Sequence, residues 1–372
     1  MSDHRQVSLG RKVAYGFGSV AFGVKSNGFD YFFLIFYSQV MGVSAYLVSL
    51  ALMIALIVDA LSDPLIGYLS DNTRSRWGRR HPYMYAAALP AAIAYYFVWN
   101  PPSGLEGDAL FPYIVTIAVL VRTLVTVYEI PSSSLVAEMS DDYDERTSML
   151  SYRYFFGWTG GTLMGAFATI FILVPTVTIS NGMFNVEGHG EVGATAAVII
   201  FMAMMVSTMG THKMIPNLKA PPPPRRMTIG LIYREVLETL ASRSFLALFL
   251  AALFGAVAAG VSTTLSFYFS TFFWEFTTEQ IGLISLSVVI SAVLAFFIAP
   301  VVSRKFGKKR GAITVGLMAF TVAPAPILLR LLGLMPDNSD PSLFPLVLSI
   351  TVIDVALIIT YQILSSSMIA DL

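Results

Sequence analysis

The chain has 372 residues, 56% of them hydrophobic and only 12% charged, with 23 Lys and Arg balancing 23 Asp and Glu. A mean hydropathy of +0.71 excludes an ordinary soluble domain, and zero net charge excludes a basic nucleic-acid binder. Cysteine is absent, so neither a disulfide framework nor a thiolate metal site is available.

The opening MSDHRQVSLGRKVAYGFG is basic but lacks a short apolar core followed by a small-residue cleavage site, so the first span is expected to stay as an anchor. A membrane-crossing helix needs about 20 apolar residues. Ten stretches meet that need, near 13–40, 46–70, 83–100, 111–136, 148–176, 194–210, 245–273, 281–302, 313–333 and 343–367. Beta-barrel strands of about ten alternating residues do not fit them. Glycine, serine and threonine at close spacing, as in FFGWTGGTLMGAFA, suit close helix contacts in lipid.

The second span carries Asp59 and Asp63, four residues apart and so on one helix face. Each ionised carboxylate near mid-bilayer costs about 2.5–3.5 kcal/mol on insertion scales, which directs both toward a cavity or partner cations. An ion site is the natural reading, and structural pairing with buried cations is the alternative. Other charges within spans are Lys25, Asp30, Arg122, Arg153 and Asp354, which neutralise those carboxylates or line a solute path. Arg330, near a span end, is expected to snorkel outward.

The loops set the orientation. Arg74, Arg76, Arg79 and Arg80 follow span two, Lys213 to Arg243 follow span six, and Arg304 to Arg310 follow span eight. The opposite loops (41–45, 101–110, 177–193, 274–280, 334–342) hold no Lys or Arg, so the positive-inside rule puts the N-terminus in the cytoplasm. The segment 211–244, with PPPPRR and the helix-like IGLIYREVLETLASR, reads as a cytoplasmic linker between a six-helix bundle (1–210) and a second bundle (245–372) holding four helices.

Internal repeats support the halving. TVYEIPSSSLVAEM, ending at Met139, aligns with ITYQILSSSMIADL, ending at Leu372, an offset of 233 residues. Arg76-Trp77-Gly78-Arg79-Arg80 aligns with Lys305-Phe306-Gly307-Lys308-Lys309 at an offset of 229. Parallel six-span repeats of a two-bundle transporter produce this pattern. After VAEM the first half continues through two more spans, whereas the second half stops at IADL. The fold expected is therefore an all-α integral membrane protein with ten spans present of twelve, the last two missing by truncation.

The segment DALSDPLIGYLSDNTRSRWGRRHPY resembles the second helix and following loop of the glycoside–pentoside–hexuronide:cation symporters of the major facilitator superfamily. KVAYGFG, YEIPSSSLVAEM, YRYFFGWTGG and the terminal MIADL extend the resemblance along the whole chain. It implies cation-binding carboxylates at Asp59, Asp63 and Glu129, with the hydroxyl of Thr126 beside them. Asp59, Asp63 and Glu129 would hold Na+, or one of them a raised-pKa proton, since crowded carboxylates resist joint ionisation. Thr126 and Glu129, three apart, share a helix face. Arg153 matches a sugar-contacting arginine of helix five in the family, with a counter-ion role for Glu129 as the equal alternative. The family's helix-one Lys-Asp pair falls on Phe22-Gly23 and its helix-four Trp on Ser133, so the solute is expected to differ, and Lys25 and Asp30 favour a charged one such as a sugar acid. Asp354 is the expected cavity residue of the second half. The aromatic runs of helix one (Phe29 to Tyr37) and helix seven (Phe267 to Trp274) are mostly packing or lipid-facing. Asp71, Arg76, Arg79 and Arg80, with the acidic run Glu138 to Glu145, resemble the superfamily's cytoplasmic clamp, a gating element.

The function implied is a secondary active symporter coupled to Na+ or H+, carrying a sugar, glycoside, uronate or related small organic solute. It would act as a monomer in the cell membrane, without cofactor or nucleic-acid partner. The alternative is a transport-deficient truncated remnant or a non-transporting membrane receptor. An enzyme is not expected, because His4, His81, His189 and His212 fall in predicted loops or tails and cysteine is absent.

Overall fold

The computed structural model describes residues 7–175, 182–218 and 229–369, and these are helical with no strand among them. His4, the PPPPRR stretch and the last three residues lie outside the described residues, as do the side chains of Phe267 and Tyr268. The chain starts with α1 (Leu9–Phe17) and α2 (Ser19–Asn27), which pass through π-wound turns at Gly28–Phe32 and Phe36–Val40 with α3 (Phe33–Ile35) between them. It continues through α4 (Ala45–Asn72), α5 (His81–Trp99), α6 (Phe111–Ser134), the short α7 (Val136–Met139), α8 (Tyr143–Phe167) and α9 (Val186–His212). After the linker come α10 (Ile229–Leu240), α11 (Arg243–Tyr268), α12 (Thr278–Phe306), α13 (Lys308–Val322), α14 (Ala325–Leu331) and α15 (Leu343–Ile369).

Among the described residues seven segments are long and apolar enough to cross a membrane: Ala45–Asn72, Gly107–Met139, Tyr143–Ile172, Val186–His212, Gln280–Phe306, Lys308–Leu331 and Leu343–Ile369. The other three expected spans fall short for local reasons. That of 13–40 is interrupted by its π turns, α5 is diluted by four tyrosines and two prolines, and within α11 only the shorter stretch Phe245–Ala258 qualifies as apolar. Side-chain caps start several helices. The Asp142 carboxylate accepts the Glu145 amide (2.7 Å), and Thr277 and Gln280 form a reciprocal capping box on α12.

α1 and α2 lie against α8 and α9, α5 lies between α6 and α9, and α4 lies on α6. Small residues permit the α2–α8 approach, since a Cβ on Gly161 would come within 2.6 Å of the Gly23 carbonyl oxygen. α12 packs between α8 and α15, and α13 lies on α15. Along α8 the contacts to α12 and α15 combine ring packing of Tyr152 and Phe155 on Phe296 with polar pairs. Thr147 Oγ1 meets Ser367 Oγ at 2.9 Å and Ser303 Oγ at 3.4 Å, Tyr154 Oη meets Ser366 Oγ at 2.6 Å, and Trp158 Nε1 donates to Gln362 Oε1 at 3.2 Å.

The repeat extends to backbone geometry. Gly78 and Gly307, matched by the second alignment, both adopt left-handed φ values, +72° and +76°. Only glycine takes that region without cost, so the two loops turn for the same reason.

Two sequence expectations are corrected. His81, His189 and His212 are helix residues rather than loop residues, and the first two are fully buried because each fits a polar slot: His81 Nε2 pairs with Thr211 Oγ1 (3.1 Å), and His189 stacks on Trp99 with its Nε2 on the Met183 carbonyl (2.9 Å); His212 ends α9 against Tyr85 Oη (3.1 Å). Arg330 does not simply snorkel. Its guanidinium donates to the Pro336 carbonyl (2.5 Å), Asp337 (2.9 Å) and Asn338 (3.2 Å), and so organises the loop before α15.

Candidate functional site

Prolines interrupt α4 and α6 next to their charges. Pro64 follows Asp63, and Pro131 lies two residues beyond Glu129. Each removes a backbone N–H and frees the carbonyl one turn earlier, which in a membrane helix is tolerated where protein or a polar cavity satisfies it. Both helices continue through their prolines, so each has a freed carbonyl near its carboxylates.

The structure brings Asp59, Asp63 and Thr126 together. Thr126 Oγ1 donates to Asp59 Oδ1 at 2.8 Å, and Asp63, one turn along α4 from Asp59, lies beside them with its Oδ1 buried and without a partner. Arg122, one turn before Thr126, donates through Nη1 to Asp59 Oδ2 at 3.3 Å. Hard oxygens from two helices converge here, with one guanidinium alongside.

Glu129 does not join that set. Its Oε1 is bound by Nη2 of Arg153, whose Nη1 donates to Ser132 Oγ (3.1 Å) and whose guanidinium lies over the Tyr15 ring at 5.6 Å. Among the described residues no three carboxylate or histidine side chains converge as a metal site: of the expected triad, Asp59 pairs with Arg122, Glu129 pairs with Arg153, and Asp63 stays beside Asp59 without an ion pair. The physical reason is that the half-buried Asp59 and Glu129 each lie against a different arginine, and a charge away from water settles on its partner. Glu129 Oε2 remains buried and unpartnered.

The remaining candidates are dispersed. Lys25 is buried, 6% exposed, with its ammonium 4.5 Å from the Phe22 ring and within the field of Asp59, Glu129 and Asp30. Asp30 is exposed on the first π turn. Asp354 lies midway along α15, its Oδ1 buried and unpartnered, away from the charges of α4 and α6. Gly23 explains one departure from the family pattern: a Cβ there would collide with the Gly157 carbonyl of α8, so no carboxylate side chain fits at that crossing.

At the arginine-rich end, Arg79 Nη2 pairs with Glu138 Oε1 at 2.8 Å, Arg80 Nε reaches the same oxygen, and Arg80 Nη2 pairs with Asp71 at 2.9 Å. Arg76 is exposed and takes no part among the described contacts. Glu138, not Arg76, completes the cluster. Beside it Lys12 Nζ and the Val7 amide both bind Glu145 at 2.9 Å, and the Lys308 ammonium sits 3.5 Å over the Tyr143 ring while the Lys308 amide donates to Tyr143 Oη at 2.8 Å. Arg122 is one of the span charges that the sequence offers as partners for the carboxylates, and it pairs with Asp59. Nothing in the sequence distinguishes its role from that of Arg153.

Comparison with known proteins bears on the family and the fold. The family model described as MFS/sugar transport protein matches residues 14–372. The chain is 33% identical over 205 residues to the uncharacterized symporter sll1374 of Synechocystis sp., covering 53% of this chain and 36% of that one. It is 29% identical to the inner membrane symporter YicJ of Escherichia coli (58% and 45% covered), and 30% identical to the sodium-dependent lysophosphatidylcholine symporter 1 of Mus musculus (40% and 29%). The matches thus span less than half the length of these relatives. Among solved structures, the proton:xylose symporter XylE superposes with a TM-score of 0.61 at 14% identity (97% and 81% covered), and a bacterial homologue of the iron transporter ferroportin with 0.64 at 13% (98% and 85%). These two establish the fold alone. With a family match over nearly its entire length and symporters among its relatives, this multi-pass membrane chain belongs to the MFS/sugar transport protein family, as a glycoside–pentoside–hexuronide:cation symporter-type member.

Proposed function

We propose that the protein is a cation-coupled symporter that carries a sugar, glycoside, uronate or related small organic solute by alternating access. The observation carrying this reading is the convergence of Asp59, Asp63 and Thr126 from α4 and α6, with Asp63 Oδ1 buried and unpartnered. Two carboxylates and a hydroxyl are the donor set a small hard cation takes, and intramembrane acids of this kind are functional by default. Glu129 and Arg153, linked to each other one turn deeper along α6, offer an acceptor and a donor for solute hydroxyls. Residues 1–210 form one bundle and 245–372 the other, joined by 211–244, with ten membrane crossings and a cytoplasmic N-terminus. The Asp71, Arg79, Arg80 and Glu138 cluster then serves as a cytoplasmic clamp. A relative named isoprimeverose transporter favours a glycoside, and relatives named sodium-dependent favour Na+ over H+.

The test uses purified protein in liposomes with imposed Na+ and proton gradients and a panel of sugars, uronates and lysolipids. Gradient-driven uptake that Asp59→Asn and Asp63→Asn both abolish supports the assignment. Uptake unchanged in both variants refutes the cation site, and solute binding without flux identifies a receptor instead.

A further inference from the structure

Arg122 and Arg153 are both intramembrane arginines on intramembrane carboxylates, yet they are held differently. Arg153 has two hydrogen-bond partners, Glu129 and Ser132, and a ring beneath it. Arg122 makes one contact, 3.3 Å long, to Asp59 Oδ2, and its Nε is buried without a partner. Its guanidinium also lies 5.5 Å from the Phe29 ring centroid. The same Asp59 offers its other oxygen to Thr126, and Asp63 is one turn away.

We infer that Arg122 is a tethered competitor for the coupling cation: its guanidinium occupies Asp59 and must yield, onto the face of Phe29, for a metal cation to take the Asp59, Asp63 and Thr126 oxygens. This role rests on the cation site proposed above. Charge dictates the exchange. Asp59 pairs directly with Arg122, and Lys25 lies in the field of Asp59 and Arg122, so Asp59 is already compensated and a further positive ion at its oxygens is favoured when Arg122 withdraws. Lys25 is confined over Phe22, and Arg153 is committed to Glu129, which leaves Arg122 as the group free to move. The internal repeat isolates the device to the first half: at the offset of 233, Arg122, Thr126 and Glu129 correspond to Val355, Ile359 and Gln362, which carry no charge. Arg122 therefore sets cation affinity rather than merely filling space. A weak single contact gives fast, reversible exchange, whereas a doubly anchored arginine would block the site.

The test is equilibrium Na+ binding to the purified full chain, followed by Na+-dependent thermal stabilisation and by radiolabelled sodium. Arg122→Gln is expected to bind Na+ about tenfold more tightly than wild type, because the competing charge is gone. Arg122→Lys, which replaces the planar guanidinium fork with a single ammonium, should shift in the same direction by about threefold and serves if the glutamine variant does not fold. Asp59→Asn should abolish Na+ binding in either background. Sodium affinity that is unchanged or weaker in the Arg122 variants, while Asp59→Asn still abolishes binding, overturns the competitor role and leaves the site intact. Sodium binding that survives Asp59→Asn, or that is absent from every variant, overturns the site and the competitor role together.

Discussion

Glu138→Gln tests the arginine cluster most directly. The Glu138 side chain is 2% exposed, and its Oε1 accepts from Arg79 Nε at 3.1 Å, Arg79 Nη2 at 2.8 Å and Arg80 Nε. Arg79 and Arg80 are themselves only 14% and 7% exposed, so both guanidiniums depend on this one carboxylate for compensation away from water. Neutralising it leaves two nearly buried positive charges facing Asp71 alone, which is 44% exposed. Removing one partner of a buried pair costs about 3–5 kcal/mol. The glutamine amide still accepts a hydrogen bond, which places the expected loss near the lower bound, about 3 kcal/mol. Asp71→Asn removes an exposed partner and should cost under about 1 kcal/mol. Unfolding in mixed micelles, read by tryptophan fluorescence, compares the two. Equal destabilisation by both variants would refute the view that burial makes Glu138 the centre of the cluster.

Other outcomes follow from the packing. The chain holds no native cysteine, so a Thr147→Cys and Ser367→Cys pair can be oxidised without background; with the parent hydroxyls 2.9 Å apart, disulfide formation should be rapid, and its absence would place α8 away from α15. Gly161→Ala should destabilise by more than about 1 kcal/mol, whereas Gly10→Ala, where a Cβ meets nothing within 4 Å, should not; unfolding midpoints that match would contradict the close α2–α8 crossing.

The sequence made the helical character, the repeat and the arginine-rich face legible because each is a property of local text: hydropathy over about 20 residues, a recurring motif, a charge count per loop. Asp59, Asp63 and Thr126 were legible for the same reason, through i, i+4 spacing and the family signature. The choice of partner was not. Whether Arg122 or Arg153 answers Asp59 depends on how α6 and α8 are rotated about their axes, which is fixed by glycine contacts such as Gly23 with Gly161 that no single helix encodes. The histidines were misplaced because a polar residue at a span edge looks like loop until a hydroxyl such as Thr211, 130 residues away, is found to meet it. The π turns after Gly28 also escaped, since an aromatic run fits a regular helix equally well.

The seam between α8 and its partners α12 and α15 consists of neutral groups: Thr147 with Ser303 and Ser367, Tyr154 with Ser366, Trp158 with Gln362. A neutral hydrogen bond contributes about 1 kcal/mol net, so these four contacts contribute about 4 kcal/mol, beside the packing of Tyr152 and Phe155 on the Phe296 ring. Ionic strength has little hold on such contacts, whereas it screens the exposed Arg304–Asp144 pair at the seam's end. Salt should therefore change how quickly the two sides of this seam find each other while leaving nearly untouched how long they stay closed.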